Sequence, residues 1–78
     1  LGEPTPVALD ERSPAIGRSL AELNLRSATG ATVLAIGRGD KGILVPTAQE
    51  VLRDGDVMAL AGTKDAIAAA RDLLTRRP

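Results

Sequence analysis

The 78-residue chain has no cysteine, no histidine and no phenylalanine, tyrosine or tryptophan, and its ten basic and ten acidic side chains cancel. Without Cys there is no disulfide framework and no thiol chemistry, and without Cys or His there is no zinc site of the usual kind. Without an imidazole, His-based general base catalysis is excluded. No aromatic ring can stack on a base. Zero net charge and a pI near 6.4 do not supply the basic surface that nucleic acid demands, so no nucleic-acid partner is expected. No apolar run approaches the ~20 residues that span a bilayer, and no signal-peptide pattern opens the chain. A disulfide-free chain of this size fits a reducing cytosol better than secretion.

The hydrophobic fraction, 44%, is that of an ordinary folded chain. It is made of Ala, Val, Leu and Ile plus Met58, with alanine the most frequent residue. Side chains of that size build a thin core, and a chain this short buries only ~60% of its unfolded surface. Small domains usually complete such a core with a metal, a disulfide or a partner chain. The composition excludes the first two, so the expectation is one domain that pairs with its own copy or docks on a larger protein. Leu1 reads as an excised boundary of a longer parent chain.

Residues 1–6, with Gly2, Pro4 and Pro6, read as a linker. Val7, Ala8 and Leu9 predict an edge strand, followed by a polar loop that stops at Pro14. Ser19-Leu20-Ala21-Glu22 matches a capping box, so a helix should begin at Leu20 with Leu20 and Leu23 inward. Arg26, Ser27, Ala28 and Thr29 extend it to a left-handed stop at Gly30. Residues 32–36 are apolar on both faces of the pleat and predict a central strand covered on both sides. Ile43, Leu44 and Val45 pair with it as a hairpin, ended by Pro46. Val51 and Leu52 plug the core. A last strand spans residues 57–61, and Thr63 caps a final helix with Ala66, Ile67, Ala70, Leu73 and Leu74 as its apolar stripe. Arg71, Arg76 and Arg77 suit that helix's negative end. The order β-α-β-β-β-α is α+β.

Gly37-Arg38-Gly39-Asp40-Lys41-Gly42 spells G-x-G-x-x-G. The dinucleotide-binding mechanism behind that spacing needs a helix to begin at its end. A β-type run follows instead, so the motif reads as a hairpin turn, and the embedded Arg38-Gly39-Asp40 carries little weight. Asp54 and Asp56 flank Gly55 without a third acidic ligand at metal-loop spacing, and read as turn-formers. The serines and threonines have no base in a recognisable arrangement, and Lys41 and Lys64 read as solvated. No enzyme is expected. Arg26 stands at a helix end before the buried strand, where a guanidinium could clamp a phosphate at the rim of an apolar cleft. The alternative is a solvated arginine, and Arg38 leans further that way.

The series Gly17-Arg18-Ser19-Leu20-Ala21-Glu22-Leu23-Asn24-Leu25-Arg26, then residues 29–36, then Arg38-Gly39, Val45-Pro46, Val51-Leu52, Gly55-Asp56 and Leu60-Ala61-Gly62-Thr63 resembles the RCK_C (TrkA-C) family. This is the C-terminal regulatory domain of potassium channels and transporters, and the resemblance runs from about residue 7 to 74. Within it, residues 45–63 are most similar to Kef-type monovalent cation:proton antiporters. The resemblance implies a two-layer RCK_C-like domain over residues 7–75 with a mainly antiparallel sheet, a tail at 76–78, and a homodimer. It implies a place at the cytoplasmic face of the cell membrane, fused or bound to a membrane-embedded transporter of K⁺ or a similar cation. No cofactor is implied. The effector that the family suggests is cyclic di-AMP, held between two domains, which would bias the transport domain by population shift. Carried over by position, Leu25 would touch adenine and Arg26 would face a phosphate. Ala31 and Thr32 stand where nucleotide binders in the family often place a polar residue followed by Asn, and Pro46 would line the cleft. Thr32 lacks the amide that both donates and accepts, and Ala31 brings no polar group.

Overall fold

A computed structural model of the chain describes residues 3–39 and 42–75. The elements are β1 (Thr5–Ala8), α1 (Leu20–Leu23), α2 (Leu25–Thr29), β2 (Thr32–Arg38), β3 (Gly42–Leu44), β4 (Val57–Ala61) and α3 (Lys64–Thr75). The four strands form one antiparallel sheet in the order β1-β4-β2-β3. Fold class and strand sequence are those expected, with two differences in the elements. β1 begins at Thr5, inside the segment read as a linker. The single helix expected after Ser19 is broken in two.

The break lies at Asn24, whose φ of 48° is left-handed. Asn tolerates that region better than other residues with a Cβ because its short polar side chain bonds locally. The capping box forms as its spacing demands: the Ser19 hydroxyl accepts from the Glu22 N–H at 3.2 Å, and the Glu22 carboxylate accepts from the Ser19 N–H at 3.1 Å. Those bonds hold the Glu22 carboxyl below its ordinary value. Gly30, at φ 85°, closes α2 by donating its N–H to the Arg26 carbonyl. Thr63 caps α3 by accepting the Ala66 N–H.

All three helices lie on one face of the sheet. Alternation along the strands sends Val7, Ile36, Met58 and Leu60 to that face, where they meet Leu25, Leu52, Ala66, Ala70 and Leu74 in one core cluster. Ser13 is buried there and donates its hydroxyl to the Leu74 carbonyl, occupying an acceptor that the end of α3 leaves open. The other face carries Val57, Ala59, Ala35 and Gly37 in paired positions, with Ile43 opposite Gly37.

This face corrects the expectation that β2 is covered on both sides. β2 is central, but Leu34 is 48% exposed and sits in a register shift between Val33 and Ala35. Apolar residues on both pleat faces record what a strand can tolerate, and a single chain of this length builds only one helical layer. Val51, expected as a plug, is exposed too; only Leu52 is in the core. Val51 pairs with Ser19 as an isolated antiparallel bridge outside the four strands.

The hairpin reading of G-x-G-x-x-G holds. Arg38 pairs with Gly42 and Gly37 with Ile43, antiparallel, so no helix opens after Gly42. Asp40, Lys41, Arg76 and Arg77 lie outside the described residues, as do Leu1, Gly2 and Pro78.

Candidate functional site

The two ends of β2 carry two arginine environments. At its start, Ala31, Thr32 and Val33 form one wall of a pocket of about 180 Å³, and Leu20, Asn24, Leu25 and Arg26 form the other. Four residues singled out in the sequence, Leu25, Arg26, Ala31 and Thr32, thus share one hollow. The fold brings them together because Gly30 reverses the chain between α2 and β2. Leu25 turns into the core, while Arg26, next along the helix, stays exposed. Thr29 donates its hydroxyl to the Leu25 carbonyl and accepts from the Ala31 N–H at 3.1 Å, which pins the corner. Among the described residues the Arg26 side chain has no carboxylate partner. The pocket therefore offers apolar surface, one hydroxyl at Thr32 and one unpaired cation, a set suited to an anion with an apolar flank.

Pro46 is not among the residues lining this pocket. Leu20, Asn24 and Val33 are, and the sequence reading had not assigned them to the site. The left-handed turn at Asn24 is what places Leu20 beside Leu25. An Asn between two leucines was the one local signal for it.

Larger hollows of about 330 Å³ and 550 Å³ lie elsewhere. The first is lined by both Arg18 and Glu22, so it carries charges of both signs. The second is walled mainly by aliphatic and small residues around Gly62.

At the far end of β2 the solvated-arginine reading of Arg38 fails. Its guanidinium is forked onto Asp56, donating from Nε to Oδ1 at 2.9 Å and from Nη2 to Oδ2 at 2.8 Å. It also donates to Glu50 Oε2 at 3.0 Å and to the Val51 carbonyl at 3.0 Å. The Arg38 side chain is 11% exposed and that of Asp56 1%. The hydrogen bonds from Arg38 hold the Asp56 carboxyl below the usual carboxylate range and raise the guanidinium's own value further. Asp56 keeps its expected turn role too, accepting the Arg53 N–H at 3.0 Å. The partners lie twelve and eighteen residues from Arg38 in the chain, beyond any local pattern.

A family profile describing the TrkA-C domain matches residues 6–75. The chain belongs to the TrkA-C family. Its sequence is 41% identical over 46 residues to potassium channel protein 1 of Methanocaldococcus jannaschii, covering 59% of this chain. The chain spans 14% of the length of that relative. Its fold is similar to the RCK_C domain dimer of S. agalactiae BusR in complex with c-di-AMP, with a TM-score of 0.81 and 30% identity over 92% of this chain and 95% of that one. It is also similar to S. agalactiae BusR in complex with its busA-promotor DNA, with a TM-score of 0.79 and 33% identity over 90% of this chain and 35% of that one. This TrkA-C domain is thus a regulatory domain of the RCK_C type. Among its described residues no helix is long and apolar enough to cross a membrane.

Proposed function

We propose that this TrkA-C domain is a cytosolic ligand-sensing module that regulates a K⁺ transport protein at the cytoplasmic face of the membrane, working by binding and not by catalysis. One observation carries the reading. The unpaired cation of Arg26 stands beside Leu25, Ala31 and Thr32 in a pocket of a domain whose 30%-identical structural relative is a dimer in complex with c-di-AMP.

The pocket's size supports a paired arrangement. At about 180 Å³ it is below the ~300–1,000 Å³ of sites that enclose a small molecule. A cyclic dinucleotide carries two bases and two phosphates, so two pockets facing across a two-fold axis would each take half of it. In each half, Arg26 meets a phosphate and Leu25 an adenine. Thr32 supplies a hydroxyl in place of an amide. Pro46 enters this site only through the family resemblance. Ligand binding then favours one arrangement of the two domains and shifts the transport protein between states. The antiporter assignment rests on the similarity of residues 45–63 to Kef-type proteins, and the curated relative is a channel.

Titration calorimetry of the 78-residue chain with c-di-AMP, with linear dinucleotides and mononucleotides as controls, tests the proposal. Arg26→Ala should weaken binding at least about tenfold, the scale of a charge-assisted hydrogen bond, with the domain still folded. Sedimentation should show a dimer. If no nucleotide binds while the dimer persists, the domain is a tether that orients transport domains. The similarity to promoter-bound BusR favours a second parent, a DNA-binding regulator carrying this domain as its effector module. The sequence surrounding the domain in its parent chain separates the two parents.

A further inference from the structure

Arg38, at the opposite end of β2 from Arg26, is connected to the pocket through the segment it grips. Its guanidinium bonds Glu50 and the Val51 carbonyl, and this stretch runs beside the entry to α1. The Leu20 N–H donates to the Glu50 carbonyl at 3.0 Å and the Ala21 N–H to the Ala48 carbonyl at 2.9 Å. The Leu52 N–H donates to the Arg18 carbonyl at 3.0 Å. Leu20 and Ala21 open α1, so these are donors that a helix start leaves without partners in its own helix. A helix of four residues has no stability of its own. Its position is therefore set by the 48–52 segment, and that of α2 follows through the fixed turn at Asn24. The pocket's second wall, Ala31 to Val33, belongs to the start of the strand that ends in Arg38. One strand thus carries one wall directly and holds the other at a distance through its terminal side chain.

We propose that Arg38 is a positioning residue that sets the gap of the Arg26 pocket, a role whose functional meaning rests on the ligand-sensing reading above. A lysine would neutralise Asp56, but its single compact ammonium lacks the planar fork whose separate nitrogens reach Asp56, Glu50 and the Val51 carbonyl. A role limited to charge neutralisation is rescued by Lys; a positioning role is not.

The experiment compares Arg38→Lys, Arg38→Gln and wild type as full chains by amide hydrogen exchange and by c-di-AMP titration. In Arg38→Lys, the Leu20 and Ala21 amides should exchange at least about tenfold faster, with β1 and β4 amides unchanged and c-di-AMP affinity reduced. Wild-type exchange at Leu20 and Ala21 in Arg38→Lys overturns the proposal, as does equal acceleration throughout the chain. Glu50→Ala removes the acceptor of the Arg38 Nη1–H, leaves the Arg38–Asp56 fork intact and should speed the same two amides; it decides the matter if the position-38 variants do not fold. If wild type binds no c-di-AMP, the sensing reading falls, while the exchange pattern still decides whether Arg38 holds α1.

Discussion

The arginines before and at the end of β2 have the same chemistry and opposite fates. Arg38 spends its donors inside the chain, on Asp56, Glu50 and a backbone carbonyl. Arg26 finds no carboxylate among the described residues and stands at the rim of a hollow. A guanidinium that is fully engaged within the fold holds structure, and one left unanswered beside apolar surface has capacity for something outside it. The difference is topological. At its C-terminal end β2 passes the 50–56 loop, where Glu50 and Asp56 reach Arg38; at its start it pairs with β4 and faces α1 and α2 across the pocket.

Substitution should break this symmetry of type most strongly at Arg38. Arg38→Ala leaves Asp56 charged and buried without its partner, which should cost about 3–5 kcal/mol. In a domain of this size each kcal/mol lowers Tm by roughly 4–8 °C, so a calorimetric melt separates it clearly from Arg26→Ala, expected within ~0.5 kcal/mol. Equal melting shifts would remove the distinction between the two ends.

Acid should act on the same end. Asp56 titrates below its unfolded value because of Arg38. The stability it contributes is therefore complete above the unfolded carboxylate pKa of ~3.9 and is lost as pH falls through the lower folded value. Urea melts from pH 7 down to 2 should show that decline in wild type and a flatter profile, from a lower start, in Asp56→Asn.

Smaller effects sharpen the pocket end. Gly30→Ala forces a Cβ into a left-handed conformation at φ 85° and should cost about 1–2 kcal/mol. Because Gly30 joins the two pocket walls, c-di-AMP affinity should fall along with Tm. Ser19→Ala removes the cap of α1 and should cost ~1 kcal/mol in the same melts. If it leaves Tm unchanged, the bonds to Ala48 and Glu50 alone hold that turn.

Much of the fold was readable from local pattern. The capping box at Ser19, the left-handed stop at Gly30, the Thr63 cap and the stripe from Ala66 to Leu74 are each written within one or two turns of chain, and each formed. The strand of residues 57–61 was equally local. The exposure of Val51 and Leu34 is not legible in sequence, because it depends on which face receives a second layer, and hydrophobicity does not state that. The helix break at Asn24 was missed because a single left-handed residue leaves little trace in the apolar period. In the site, Leu25, Arg26, Ala31 and Thr32 came from a family resemblance combined with proximity across one turn. Leu20 and Val33 joined them only once the chain had folded back.

Composition alone excluded disulfides, imidazole chemistry and aromatic stacking, because an absent side chain is absent in every conformation. Local spacing set caps, turns and strands, since those depend on hydrogen bonds between near neighbours. Only the tertiary structure decided which arginine is engaged and which is left open. That outcome depends on carboxylates brought within about 3 Å from twelve and eighteen residues away, and hydrogen-bond energy falls off too steeply with distance for sequence order to reveal it.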